Sequence, residues 1–307
     1  MTRFDFVKME GLGNDYVYVD LFEQREFAAT LAKQPAALKR LAQRVSDRHF
    51  GVGADGLILV GPGERAPFRM TMFNADGSES AMCGNGLRCV AKLVADRGYV
   101  EGGTADVFEV ESGAGVHRVE IASRSDGSGE AAGNVEQVRL AMGAPRLRNR
   151  EVPTTGPAEA RSLEHELLLP GGERVTVSCV SMGNPHAVIF LPPGTDVREH
   201  PVTQLGPLVE RHPYFPERTN VEFVEVRSET RLIQRTWERG SGETLACGSG
   251  ACAVLVAAHL TGRAAREATV TLLGGDLRIA WDEASNTVYK TGPATNVFTG
   301  TYVHHDE

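Results

Sequence analysis

The chain has 307 residues, long enough for two domains that each bury a core, and 40 acidic against 32 basic residues leave a net charge of -8. That balance excludes the basic face that a nucleic acid or an anionic membrane surface requires. Five cysteines without paired spacing argue for reduced thiols, and neither Cys83/Cys89 nor Cys247/Cys252 has the short spacing or the neighbouring histidines of a structural zinc site.

In chain order, Asp5 and Glu10 interrupt any signal-peptide apolar core. Nowhere do about eighteen apolar residues run together, so no membrane segment is expected and the protein is expected to be soluble and cytoplasmic. Tyr16 to Val19, Gly56 to Val60 and Val221 to Val226 read as strands, and Leu31 to Val45 as a surface helix. A glycine turn at Gly84 to Gly86 opens a helix from Leu87 to Tyr99, whose Arg88, Lys92, Asp96 and Arg97 predict partial enclosure. The polar, glycine- and serine-rich stretch Ala122 to Asn134 predicts a loop or linker between two halves. A second glycine turn, Gly248 to Gly250, opens a helix that is apolar nearly all round from Ala251 to Leu260, so it should lie inside a sheet or barrel.

The halves echo one another. Gly13-Asn14-Asp15-Tyr16 precedes Cys83-Gly84-Asn85-Gly86, and Gly183-Asn184-Pro185-His186 precedes Cys247-Gly248-Ser249-Gly250 at a similar separation. Glu79 and Glu243 each lie four residues before their cysteine, and Phe73-Asn74 and Trp237-Glu238 share the same offsets further back. Two echoes in one order point to an internal duplication. Equivalent cysteines of duplicated domains could then face each other across one cleft.

Each cysteine immediately precedes a helix start, where unpaired N–H groups and the positive end of the helix dipole favour negative charge. The thiol pKa is therefore expected to fall towards neutrality. The same N–H groups can hold a carboxylate, and glycines let a ligand approach the backbone. Two such starts facing each other would allow one thiolate to remove an α-proton while the opposite thiol delivers one to the other face, inverting the carbon. Phosphate-loop, dinucleotide and zinc-protease motifs are absent, so no cofactor and no metal are expected, and polar groups at the carboxylate would have to stabilise the carbanion. Cys89, Cys179 and Cys252 lie in apolar runs and read as packing.

Six segments in order resemble the diaminopimelate epimerase family over nearly the whole chain: Gly11 to Tyr16, Phe73 to Glu79, Met82 to Cys89, Gly183 to His186, Thr219 to Phe223, and Trp237 to Thr244 running into Cys247 to Cys252. The resemblance implies an α+β fold of two pseudo-symmetric domains, each a mostly antiparallel sheet or barrel around a central helix. They would span 1–138 with a returning strand at about 292–307, and 139–291, with the active site between them. It implies interconversion of L,L- and meso-2,6-diaminopimelate, a small-molecule substrate on the route to lysine and peptidoglycan. Cys83 and Cys247 match the catalytic cysteines, and Gly84-Asn85 and Gly248-Ser249 the pairs that hold the reacting carboxylate. Asn14, Asn74, Asn184, Asn220 and Arg239 match substrate-binding positions, while Glu238 and His186 match residues that bind substrate and adjust the thiols. One departure is Gly56, where some members carry a substrate-contacting glutamine.

Other readings stay open on the residues alone. Asn14 and Asn184 are turn residues beside glycine, Glu238 and Arg239 could form a surface ion pair, and His186 could cap a strand. The proline racemase and hydroxyproline epimerase group shares the two-cysteine idea, but usually has histidine where this chain has Asn85. A redox-regulated small-molecule-binding protein would use Cys83 and Cys247 as a disulfide. A homodimer is compatible with the sequence, which names neither the resting thiolate nor the extent of domain closure.

Overall fold

The computed structural model describes residues 2–32, 35–100, 106–126 and 133–304. In chain order the elements are β1 (Thr2–Gly11), β2 (Asn14–Asp20), α1 (Arg25–Ala32), α2 (Pro35–Ser46), β3 (Gly56–Pro62), β4 (Phe68–Asn74), β5 (Glu79–Ser80), α3 (Gly84–Asp96), β6 (Val107–Ser112), β7 (Gly115–Arg124) and β8 (Val135–Ala141). There follow β9 (His165–Leu168), β10 (Arg174–Ser181), β11 (Pro185–Phe190), α4 (Val202–Glu210), β12 (Asn220–Ser228), β13 (Arg231–Glu238), β14 (Gly242–Thr244) and α5 (Gly248–Leu260). The last strands are β15 (Glu267–Leu272), β16 (Gly275–Asp282), β17 (Thr287–Pro293) and β18 (Thr295–His304). The chain divides into two units, one comprising Met1–Leu140 with Gly292–Glu307 and the other Ala141–Thr291.

Within the first unit, β1 pairs antiparallel with β2, β2 parallel with β3, β3 antiparallel with β4, β4 antiparallel with β5 and parallel with β6, and β6–β7–β8 form an antiparallel run. The second unit repeats this order from β10 to β17: antiparallel to β11, parallel to β12, antiparallel to β13, then β14 antiparallel and β15 parallel on β13, then β15–β16–β17 antiparallel. The echo in the sequence is thus an echo of topology. The fold is α+β and mostly antiparallel, and each unit encloses one helix, with α2 and α4 also packed against the sheets. The first unit is completed by β18, which lies antiparallel on β1.

The two enclosed helices are α3, packed on β1, β2 and β7, and α5, packed on β10, β11, β12, β15 and β16. Gly250 through Ala258 are all buried, as an apolar surface on every side demands. Fully burying Val254, Leu255 and Val256 contributes about 1.5–3 kcal/mol each by transfer from water.

Helix α3 departs from its predicted partial enclosure, because Asn85 through Val94 are buried with their charges. Lys92 donates to Asp96 at 2.7 Å and to the Val135 carbonyl at 2.6 Å, and Arg88 donates to the Pro293 carbonyl and to Asn85, each at 3.0 Å. Partners of this kind make burial of a charge tolerable.

Two further readings are corrected. The single surface helix predicted from Leu31 to Val45 is two helices, α1 ending at Ala32 and α2 beginning at Pro35, a residue suited to a first helical position because its missing N–H is not needed there. Residues 33–34 lie outside the described residues. The stretch from Ala122 to Asn134 belongs to the β7–β8 hairpin, where Ser125 N–H donates to the Asn134 carbonyl at 2.8 Å, rather than linking the two halves. Its residues 127–132 lie outside the described residues. No helix among the described residues is long and apolar enough to cross a membrane.

Candidate active site

In the first unit Cys83 is the N-cap of α3, with extended backbone at φ -134° and ψ 118°. The backbone N–H of Gly86 donates to its sulfur at 3.4 Å, and the thiol donates to Asn14 Oδ1 at 3.3 Å. Asn14 stands at the exit of the β1–β2 turn, which is built on positive φ at Leu12 (60°) and Gly13 (80°), a conformation that glycine adopts freely and leucine does not. Its amide is fixed on both sides, donating to Asp55 at 2.7 Å and accepting from Asn85 at 3.5 Å. Asn74 ends β4 opposite Gly56 and donates to Ser78 at 3.0 Å. The half-buried sulfur also faces Tyr16, whose hydroxyl is pushed up by burial and by Cys83, and so stays neutral.

The second unit repeats the arrangement with different neighbours. Cys247 is the N-cap of α5, with φ -107° and ψ 101°, and its sulfur accepts from the Gly250 N–H at 3.4 Å and lies 3.7 Å from the Ser249 hydroxyl. It is 4% exposed. Fully buried on β11, His186 has Nδ1 2.7 Å from Glu222 Oε1 and Nε2 3.0 Å from Asn184 Oδ1. Glu222 on β12 is fully buried too, and its Oε2 has no hydrogen-bond partner. Asn220 begins β12 by donating to the Pro185 carbonyl at 3.0 Å and accepting the Arg239 N–H at 2.9 Å. Glu238 accepts from Thr244 at 2.6 Å, while the exposed Arg239 guanidinium donates to the Glu217 carbonyl at 3.0 Å, so neither needs the other as an ion-pair partner.

The thiol acidity expected from the helix start does not hold at Cys247. Burial pushes this thiol well up, and the carboxylates of Glu238 and Glu222 add to it, outweighing the Ser249 hydroxyl and the Gly250 N–H that pull the other way. Glu238 is itself raised by burial, with Glu222 contributing. Two of the glycines also serve a purpose other than ligand approach. A Cβ on Gly86 would sit 2.8 Å from Ile58 Cδ1, and one on Gly250 2.7 Å from Glu222 Oε1, so both let the helix start press on its sheet.

Among the described residues, His186, Glu222 and Cys247 form a group whose donor atoms lie within 4.8 Å of one another. Zinc accepts imidazole, carboxylate and thiolate ligands, but here the imidazole is already engaged with the carboxylate and the sulfur with Gly250.

A model of the family described as diaminopimelate epimerase matches residues 6–146 and 178–297. The diaminopimelate epimerase of Acetivibrio thermocellus is 48% identical over 295 residues, covering 96% of this chain and 97% of its own, and that of Moorella thermoacetica is 48% identical over 297, covering 97% and 98%. The chain belongs to the diaminopimelate epimerase family. With that membership it is an isomerase of the epimerase type. The fold is shared more widely: a phenazine biosynthesis protein of the PhzF family from Bacillus anthracis aligns with TM-score 0.66 at 18% identity over 99% of this chain and 100% of its own. A hydroxyproline epimerase from Agrobacterium vitis aligns with TM-score 0.64 at 15% identity over 98% and 91%.

Against the diaminopimelate epimerase pattern, the departure at Gly56 has a local cause. A Cβ there would overlap the Phe73 carbonyl oxygen and come within 2.9 Å of Tyr16, so a side chain requires β4 to move. Gly84 and Gly248 open α3 and α5, which leaves the N–H groups of Gly84, Asn85, Gly248 and Ser249 in the first turns, without intrahelical acceptors. Sequence reasoning missed Tyr16, Asp55 and Glu222. Tyr16 was within reach, since it occupies the place of His186 in the repeat.

Proposed function

We propose that this enzyme epimerises 2,6-diaminopimelate between its L,L and meso forms, with no cofactor, by proton transfer through Cys83 and Cys247. The observation that carries the reading is the repeated cap: in each unit a cysteine sulfur accepts the N–H of a glycine at the start of an enclosed helix, beside an asparagine delivered by a hairpin turn or next to a histidine that such an asparagine holds. One thiolate takes the α-proton, the C–H electron pair passes into the carboxylate, and the free N–H groups of a helix start hold the charge that develops there. The second thiol gives its proton to the other face of the carbon, and the thiol and thiolate exchange places. Asn14, Asn74, Asn184, Asn220 and Arg239 offer the donors and acceptors that a diamino dicarboxylate needs along its length. Glu238 and His186 adjust the Cys247 side. The reaction belongs to the supply of lysine and of peptidoglycan precursor.

In deuterated water, reduced enzyme given L,L-diaminopimelate and no added cofactor should form the meso isomer with deuterium at the inverted carbon, read by mass spectrometry and proton NMR. No incorporation, together with racemisation of free proline, would overturn the assignment.

A further inference from the structure

We propose that Glu222 is a positioning residue of the Cys247 side: its buried carboxylate anchors the His186 ring and lies within 4.8 Å of the Cys247 sulfur, where it acts on the thiol. The inference rests on the reaction proposed above and extends it to a residue that the family pattern assigns no role. Glu222 is wholly buried, one oxygen engaged by His186 at 2.7 Å and the other without a partner. An anion half satisfied in this way is destabilising.

The fold does not ask for it. In the first unit β2 and β3 pair Val17 with Leu57, and in the second β11 and β12 pair Ala187 with Val221, so Ile58 holds the register place of Glu222. Ile58 meets Gly86 as Glu222 meets Gly250, through nearly the same gap. Packing alone is satisfied by isoleucine. What the carboxylate adds is an acceptor for His186 Nδ1–H and a negative charge beside the sulfur.

The titratable groups facing Cys247 and Glu222 are His186 on β11, Glu238 on β13 and, beside Gly248, Lys290 on β17. Burial resists a charge on the sulfur most, and the Glu238 and Glu222 carboxylates add to it in that order. His186 takes its orientation from Glu222 and from Asn184.

The test is the pH profile of Cys247 alkylation by iodoacetamide in substrate-free protein, followed on the Cys247 peptide by mass spectrometry, alongside steady-state kinetics. Wild-type Cys247 should titrate above a free thiol. In Glu222→Gln the profile should move to lower pH, raising the neutral-pH rate about tenfold for each unit of movement, while kcat falls at least about tenfold and KM changes little. Glu222→Asp keeps the charge and should keep the Cys247 profile close to that of wild type. A wild-type midpoint at or below the free-thiol range, an unmoved profile in Glu222→Gln, or an unchanged kcat would each overturn the proposal. A wild-type midpoint at or below the free-thiol range overturns the proposal even if a variant does not fold. Because alkylation needs no substrate, a wild-type enzyme inactive on diaminopimelate would instead defeat the functional reading, leaving the profile to judge Glu222.

Discussion

The two units build the same scaffold around their cysteines and line it with different chemistry. At matching register places the first has Tyr16, Ile58, Met70 and Met72, while the second has His186, Glu222, Gln234 and Thr236, all buried. Backbone pairing repeats strand for strand, and so do the cap geometry and the Gly86 and Gly250 contacts with their sulfurs. Position is set by the backbone, and the surroundings differ: at Cys247 burial and then two carboxylates oppose the helix start, and the first unit has no carboxylate at the matching places.

The largest effect that could break this comparison comes from the cysteines themselves. Cys83→Ala and Cys247→Ala should each reduce epimerisation by about a thousandfold or more, equally in both directions, since each removes one of two required proton carriers. Turnover of meso product near the wild-type rate in either variant would end the two-cysteine scheme. A smaller effect separates Gly56 from Asn220, its register equivalent, because Asn220 already carries a Cβ in that place whereas one on Gly56 would overlap the Phe73 carbonyl. Gly56→Ala should lower stability by roughly 2–3 kcal/mol in urea unfolding, and an unchanged midpoint would show slack between β3 and β4.

The smallest effect concerns Glu238. Its folded-state pKa lies above the unfolded one, so the native protein binds more protons and stability falls as pH rises from the unfolded carboxylate range through the folded value. Glu238→Gln has no such loss. The variant should melt with wild type at acidic pH and roughly 1–3 °C above it at neutral pH, while losing activity. A variant that melts lower at neutral pH would mean that the Thr244 hydrogen bond outweighs the buried charge.

Much of the scaffold was legible because it lies in short motifs. A cysteine before a glycine turn and an apolar run places that cysteine at a helix cap, and an asparagine after glycine places it at the exit of a hairpin. The walls were not legible. Asn220-Val221-Glu222-Phe223 alternates as a strand with one wet face does, and strand periodicity cannot tell whether the polar face meets water or a helix. Charge misled in the same way at Arg88 and Lys92, where carbonyls distant in sequence supply the partners that allow burial. The break between α1 and α2 is marked by Pro35, a local signal that the longer apolar periodicity obscured.

Strand β18 sets the order in which the chain can be finished. Its pairing with β1 joins Arg3 to Val303 and Phe6 to Gly300, so the first unit's sheet has an open edge until those late residues have left the ribosome. All of the second unit's strands from β9 to β17 have been made by then, and contacts of such long sequence separation are the slow ones in folding. During synthesis the edge of β1 away from β2 is therefore open as a template for other chains.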